Sequence, residues 1–326
     1  PIARLKVLAG LLTYKQDVPQ EGRLRDGPRG VEMRVSTFPS LFGERAVVRI
    51  VSDTVEPWRL DDLGLPATQA GALADLLKRT SGGLLVTGPT GAGKTTTAYA
   101  CLREIIAESG QQRSISTLED PIESALDGAA QSQVNPAAGF TMPVGLRSLV
   151  RQDPEVILVG EIRDRETAQV ALQAALTGQL MISTFHAPSA CGALSRLADM
   201  GIEDYVLRTG VSAILNQRLF RALCPCRRPA PHDLERLGFK GDPVFVAAGC
   251  EHCQQTGYRG RFVVAEMLVP TEMLAGQRWR TMEAAPLEEA AREAGMIPLR
   301  QMAEESVARG KTSPQEVCRV LGIRGR

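Results

Sequence analysis

The 326-residue chain is poor in aromatic side chains, 4% of its residues, and has only three histidines. So few flat faces argue against a platform on which nucleic-acid bases stack. An excess of charge is lacking too: 38 Lys and Arg stand against 37 Asp and Glu, a formal net charge of +1. A dedicated nucleic-acid binder carries a strongly basic footprint, so no nucleic-acid partner is expected. Long apolar runs are also missing. The longest stretch without formal charge, Thr167 to Ser195, is broken by Gln169, Gln173, Gln179, Ser183 and Thr184, so no bilayer span is expected. No signal peptide opens the chain, and its first residue is Pro1 rather than Met, so an upstream region is expected. Disordered, collagen-like and coiled-coil classes are excluded by 44% hydrophobic and 23% charged residues. Seven cysteines are an odd number, and four of them cluster as Cys224, Cys226, Cys250 and Cys253. A reducing cytosol and a metal site fit that pattern better than a disulfide scaffold.

At roughly 100–200 residues per domain the length calls for two folding units. Residues 1–55 read as a small mixed α/β unit. It has a helix-like start, Ile2 to Leu12, and strand-like runs Gly30–Thr37 and Glu44–Val51 separated by Phe38-Pro39-Ser40. Residues 56–66, containing Pro57 and Pro66, read as a linker. Over 67–326 strands and helices alternate. Leu84–Thr87, Ser114–Leu118, Val156–Val159 and Leu180–Ser183 are strands; Ala67–Arg79, Thr95–Glu108 and Glu166–Leu176 are helices. That alternation predicts an α/β fold with a parallel-type central sheet. The tail, 281–326, reads as short packing helices. The last of them opens on the capping box Ser313-Pro314-Gln315-Glu316.

Gly88-Pro89-Thr90-Gly91-Ala92-Gly93-Lys94-Thr95, followed by Thr96, satisfies G-x-x-x-x-G-K-[ST] between a predicted strand and a predicted helix. Such a loop lets backbone N–H groups converge on a β-phosphate. Its lysine reaches the β/γ oxygens, and Thr95 can ligate Mg²⁺. Ligands of parallel sheets bind at the carboxyl ends of the strands, and three further strands deliver polar residues there. One ends in Glu119-Asp120, which could hold Mg²⁺ or its water shell; the alternative is a structural turn. One ends in Gly160-Glu161, a carboxylate placed to orient water; the alternative is a helix-capping acid. The last ends in Thr184-Phe185-His186, a γ-phosphate contact or else a core histidine.

Gly88–Thr97, Thr117–Glu123, Arg151–Asp164 and Leu176–His186 resemble the Walker A, Asp box, Walker B and His box of the secretion ATPases that drive type II secretion and type IV pilus assembly. The resemblance covers nearly the whole chain. It implies a PAS-like domain (1–55) ahead of a RecA-like P-loop ATPase domain (67–326), and a homohexamer hydrolysing ATP with Mg²⁺. Arginines matching Arg34 and Arg49 would complete the site; from the residues alone each is a charge on a strand face. It implies a cytoplasmic motor peripherally associated with the inner membrane through platform proteins of the secretion or pilus machinery. Retraction motors of the superfamily lack the cysteine cluster, so assembly is favoured over disassembly. Arg196-Leu197-Ala198-Asp199-Met200-Gly201 tilts the reading to type II secretion, with pilus extension the alternative and a DNA-translocating ATPase the more distant one. One departure is Gln179, where the family often has a first His-box histidine.

The resemblance implies two C-x-x-C pairs, whereas this chain has Cys224-Pro225-Cys226 and Cys250-Glu251-His252-Cys253. A turn at Pro225 could still let four thiolates hold a structural Zn²⁺, bracing a subdomain at about 221–261. His252 or His232 could replace a thiolate, and plain reduced cysteines are the alternative. Cys101, Cys191 and Cys318 read as small buried apolar residues. The basic run Arg221 to Arg228 reads as a solvated face or a docking face.

Overall fold

The computed structural model describes residues 1–24, 32–51, 58–110, 112–230, 233–270 and 284–323. The chain divides into two compact units, Pro1–Pro57 and Trp58–Arg326.

The first unit carries helix α1 (Ile2–Leu8) and an antiparallel sheet of β1 (Gln20–Leu24), β2 (Glu32–Ser40) and β3 (Gly43–Val51), in that order. Helix α1 stops short of the expected Leu12, because Gly10 takes a left-handed φ of 68°. Strand β2 runs through Phe38-Pro39-Ser40, expected as a break: Pro39 faces Glu44 and Ser40 faces Gly43. Pairing with β1 ends at Thr37, so the donor that Pro39 lacks falls where β2 has no second neighbour. Ala9, Leu24 and Val35 form the small core. Lys6 is buried too; it pairs with Glu44 and donates to the Lys15 carbonyl at 2.7 Å, which answers the cost of a buried charge.

The second unit is built on strands β4 (Gly82–Thr87), β5 (Ile115–Glu119), β6 (Ala130–Gln133), β7 (Val156–Ile162), β8 (Leu180–Phe185) and β9 (Val211–Leu223). A two-stranded ribbon, β10 (Arg228–Pro229) and β11 (Phe245–Val246), precedes β12 (Tyr258–Leu268). The seven-stranded sheet has the order β12-β9-β4-β8-β7-β5-β6. Every pairing in it is parallel except β12 with β9. Strands β4 and β8 are buried along their whole length, as apolar runs covered on both faces must be. Helices α2 (Ala67–Leu77), α3 (Lys94–Ser109), α4 (Met142–Leu149), α5 (Arg165–Leu176), α6 (Ala190–Asp199) and α7 (Asp204–Gly210) accompany these strands. Two large apolar clusters result.

Part of the expected linker belongs to this unit. Leu60–Leu63 forms a 3₁₀ turn whose two leucines are buried in the cluster with α2 and α3. The tail forms α8 (Ala284–Glu293), α9 (Leu299–Ala308) and α10 (Pro314–Leu321). Helices α9 and α10 pack Met302, Val307 and Val317 against Phe220 and Val264 of the β9–β12 pair. Ser313 Oγ caps α10 by accepting from the Glu316 N–H at 3.2 Å. The Glu316 carboxylate turns away from the cap, accepting from Arg221 and Arg319. No helix among the described residues is long and apolar enough to cross a membrane.

Candidate functional site

Strand β4 passes into α3 through Gly88–Gly93, and two glycines make that turn. Gly88 has φ 144°, and a Cβ there would lie 2.5 Å from the Gln217 carbonyl oxygen; Gly93, the N-cap of α3, has φ 82°. The Lys94 ammonium folds back over the loop. It donates to the Gly88 and Pro89 carbonyls at 3.1 and 3.0 Å and lies 3.4 Å from His186 Nδ1. Burial lowers its pKa, and the Glu161 charge opposes that. An ammonium on a glycine loop at the start of a 16-residue helix is an anion site.

The carboxyl ends of β4, β5, β7 and β8 open on one cleft of about 360 Å³, lined by Thr90 to Thr96 together with Glu119, Asp120, Glu161 and His186. Sequence reasoning had chosen these residues from four separate stretches. Gly88 and Pro89 are not part of that lining; their carbonyls accept from Lys94. Glu161 accepts at both oxygens: Oε1 is 2.7 Å from His186 Nε2 and Oε2 is 2.6 Å from Arg163 Nε. Arg163 also reaches Asp120 at 3.3 Å, and the hydrogen bond to Glu161 raises its pKa. Because Glu161 accepts, the proton of that contact sits on His186 Nε2.

The cap of α5 is Asp164, which accepts from the Thr167 N–H at 2.8 Å; Glu161 points into the cleft. His186 is half-exposed, not a core residue. Glu119 is 3% exposed, and Thr117, Gln131 and Tyr99 donate to its two oxygens. Burial, then the bond to Glu119, pushes the Tyr99 phenol up. Thr95 and the exposed Asp120 therefore face the cleft more freely than Glu119 does. Gln179 precedes β8, at the opposite end of the strand from His186, and donates to the Val150 carbonyl at 3.2 Å. Arg34 and Arg49 face each other across β2 and β3 of the first unit.

Sequence reasoning passed over β9. Gln217 Nε2 donates to the Ala92 carbonyl at 2.7 Å, and Asn216 and Arg218 flank it. The available signal was two amides and Arg218 set between the apolar pairs Ile214-Leu215 and Leu219-Phe220.

The sequence model of the family described as "Type II/IV secretion system protein" matches residues 1–319. The chain belongs to that family. It is 43% identical over 328 residues to the type II secretion system protein E of Aeromonas hydrophila, covering 98% of this chain and 65% of that protein. To the type II secretion system ATPase E of Vibrio cholerae it is 42% identical, covering 98% and 64%. The chain thus spans just under two thirds of these relatives. Among solved structures, the pilus retraction motor PilT with bound ADP aligns with TM-score 0.65 and 26% identity over 93% of this chain and 77% of that one. The Legionella pneumophila ATPase DotB aligns with TM-score 0.69 and 22% identity over 97% and 79%, which supports the shared fold.

The cysteine cluster of this chain is closed despite the short first pair. All four sulfurs of Cys224, Cys226, Cys250 and Cys253 lie within 4.8 Å of one another. Three of the separations are 3.8, 3.9 and 3.7 Å. A tetrahedron of sulfurs at about 2.3 Å from zinc has edges of about 3.8 Å, so the donor set fits this ion. The N–H groups of Cys250 and Gly257 point at Cys253 Sγ from 3.2 and 3.1 Å. Against the effect of burial, these and the neighbouring thiols draw the Cys253 thiol down to about 6. Cys226 moves the other way, to about 12: the Gly249 backbone lowers it, but burial and the other three thiols prevail. His232 lies outside the described residues, and no histidine joins the cluster among those described.

The basic run is engaged internally. Arg221 binds Glu316, Arg227 stacks over Phe245 and donates to the Gly310 carbonyl, and Arg228 pairs with Glu235. Cys101 and Cys191 are fully buried, their thiols pushed up to about 12 chiefly by burial. Cys318, expected to be buried, is only partly so.

Proposed function

We propose that this chain hydrolyses ATP at the β4–β8 cleft and, as a homohexamer, powers pseudopilus assembly for type II protein secretion. It would work in the cytoplasm, peripherally associated with the inner membrane through platform proteins of the secretion machinery. One observation carries the enzymatic part: Lys94, Thr95, Asp120, Glu161 and His186, from four sheet-edge segments, share one cleft. The names of the curated relatives carry the secretion part.

In this reading the Thr90–Thr96 backbone and Lys94 hold the β- and γ-phosphates. Thr95 and Asp120 would hold Mg²⁺, with Glu119 supporting the wall through Tyr99 and Gln131; the ion neutralises phosphate charge. Glu161 aims a water molecule at the γ-phosphorus. His186 senses that phosphate, and Arg34 and Arg49 supply further positive charge. The four cysteines would hold structural Zn²⁺, which braces the β10–β11 region and leaves no open position for chemistry.

Phosphate release from Mg²⁺-ATP by wild type and by Glu161→Gln tests the reading. Wild-type turnover is expected, with a loss of roughly 10² or more in the variant. A wild type that binds nucleotide without turnover would make the chain a nucleotide-gated ring instead.

A further inference from the structure

Three consecutive carbonyls of the loop after β8 are each taken by a side chain. Arg196 Nη1 donates to the His186 carbonyl at 2.8 Å, Asn216 Nδ2 to that of Ala187 at 3.2 Å, and Arg218 Nη2 to that of Pro188 at 2.8 Å. The two β9 side chains make further bonds, Asn216 to the end of β4 and Arg218 within β9. Asn216 Nδ2 reaches Thr87 Oγ1 at 2.9 Å. Arg218 Nη1 donates at 3.0 Å to the Gln217 carbonyl, the oxygen against which Gly88 packs, and at 3.1 Å to Asn216 Oδ1. Asn216 is fully buried. Between these anchors the His186 ring spans the gap from Lys94 to Glu161, with Nδ1 3.4 Å from the ammonium and Nε2 2.7 Å from the carboxylate.

We propose that Asn216 and Arg218 are positioning residues. Asn216 fixes the loop 186–188 to the end of β4 and Arg218 fixes it to β9, and together they set the His186 imidazole between the phosphate-loop lysine and the carboxylate that aims water. The two N–H groups of a buried asparagine need two acceptors, and a single neighbouring segment could supply both. Asn216 instead takes one on each of the segments that must stay in register, and Arg218 ties Pro188 of the same loop to β9 while holding Asn216 Oδ1. Catalytic geometry is sensitive on this scale: a displacement of about 1 Å can cost 10²-fold in rate.

The kinetic half of the test rests on the ATP-hydrolysis reading; the spectroscopic half does not. With three histidines in the chain, the His186 imidazole nitrogens can be assigned by loss of signal in His186→Gln. In nucleotide-free Asn216→Ala and Arg218→Lys, the His186 Nε2–H resonance is expected to broaden or move toward that of a free imidazole, with the other two histidines unchanged. Phosphate release should fall about 10- to 100-fold at saturating ATP, with nucleotide affinity held within about threefold. In a His186→Gln background the same substitutions should cost less than about threefold, because their effect runs through that ring. Unmoved His186 signals in both variants would overturn the proposal, and so would an undiminished loss in the His186→Gln background. Absence of phosphate release in wild type would sink the ATPase reading and leave the imidazole signals to decide this one.

Discussion

Glu161→Gln separates the two things this carboxylate does. The substitution preserves volume and removes one negative charge. Oε1 and Oε2 accept from His186 and Arg163 at 2.7 and 2.6 Å; the amide can accept from one of them and must turn its NH₂ toward the other donor. Arg163 is 63% exposed and keeps Asp120 within reach, so it returns to water at little cost. The loss therefore falls on function. Without a group to orient and polarise water, turnover should drop by about 10²- to 10⁴-fold, or about 3–5 kcal/mol of barrier. A second effect follows from Lys94. Burial depresses the pKa of that ammonium and the Glu161 charge holds it up. The variant should lose the ammonium at lower pH than wild type, so the alkaline limb of nucleotide binding shifts to lower pH. Phosphate release at pH 7, with a fluorescent nucleotide titrated from pH 7 to about 10, measures both effects. Turnover within about threefold of wild type, or an alkaline limb that stays in place, would refute the assignment.

Glu316, with no exposed side-chain surface, is held down to about 2 from 4.5 by Arg319 and Arg221, against the opposing effect of burial. A carboxyl depressed in the folded state adds stability above its unfolded pKa and loses it as pH falls from about 4.5 toward 2. Glu316→Gln should then remove about 3 kcal/mol at pH 7, seen as a melting point about 5–10 °C lower. That gap from wild type should close across the same window, and a gap that is constant with pH would contradict the assignment. Elemental analysis should find about one zinc per chain, and Cys253→Ser should lose both the metal and several degrees of thermal stability; metal-free wild type prepared with zinc present would leave the cysteines merely reduced. Arg34→Ala and Arg49→Ala should each cut phosphate release by roughly 10³ or more while nucleotide affinity persists; turnover near wild type would return both to the role of strand-face charges.

The cleft was legible because its residues sit where continuous apolar runs stop. Val156 to Val159 and Leu180 to Ile182 are short apolar runs alternating with helical stretches, as buried parallel strands are, and the polar residues that follow such strands emerge together at one edge of the sheet. Boundaries moved because a strand ends where its pairing ends. Strand β7 carries Glu161 inside it, since Ile162 still pairs with Phe185. In β2, Pro39 reads as a break only if both sides of the strand are taken to need donors, and one side does not. Part of 56–66 packs into the second unit for the same kind of reason: prolines mark where a helix cannot run, whereas Leu60 and Leu63 decide where the segment is buried.

What the sequence concealed lies on β9, where two chemistries occupy adjacent residues. Ala213, Ile214 and Leu215 are fully buried, and a strand with that pattern is expected to continue with apolar residues. Asn216 and Gln217 interrupt it while remaining buried. In isolation two buried amides are a cost, so a reading that follows periodicity passes over them. Their partners are backbone carbonyls and a hydroxyl contributed by segments about 30 and 125–129 residues away in sequence. No local pattern can announce such partners. The usable inference runs in reverse: a buried amide pair next to a phosphate-loop strand must find acceptors, and a parallel sheet offers them on the loops at its carboxyl edge. By that rule Asn216 and Gln217 belong to the site once β9 is placed beside β4, and the same rule sets Asn216 apart from Gln179, whose amide serves the other end of the sheet.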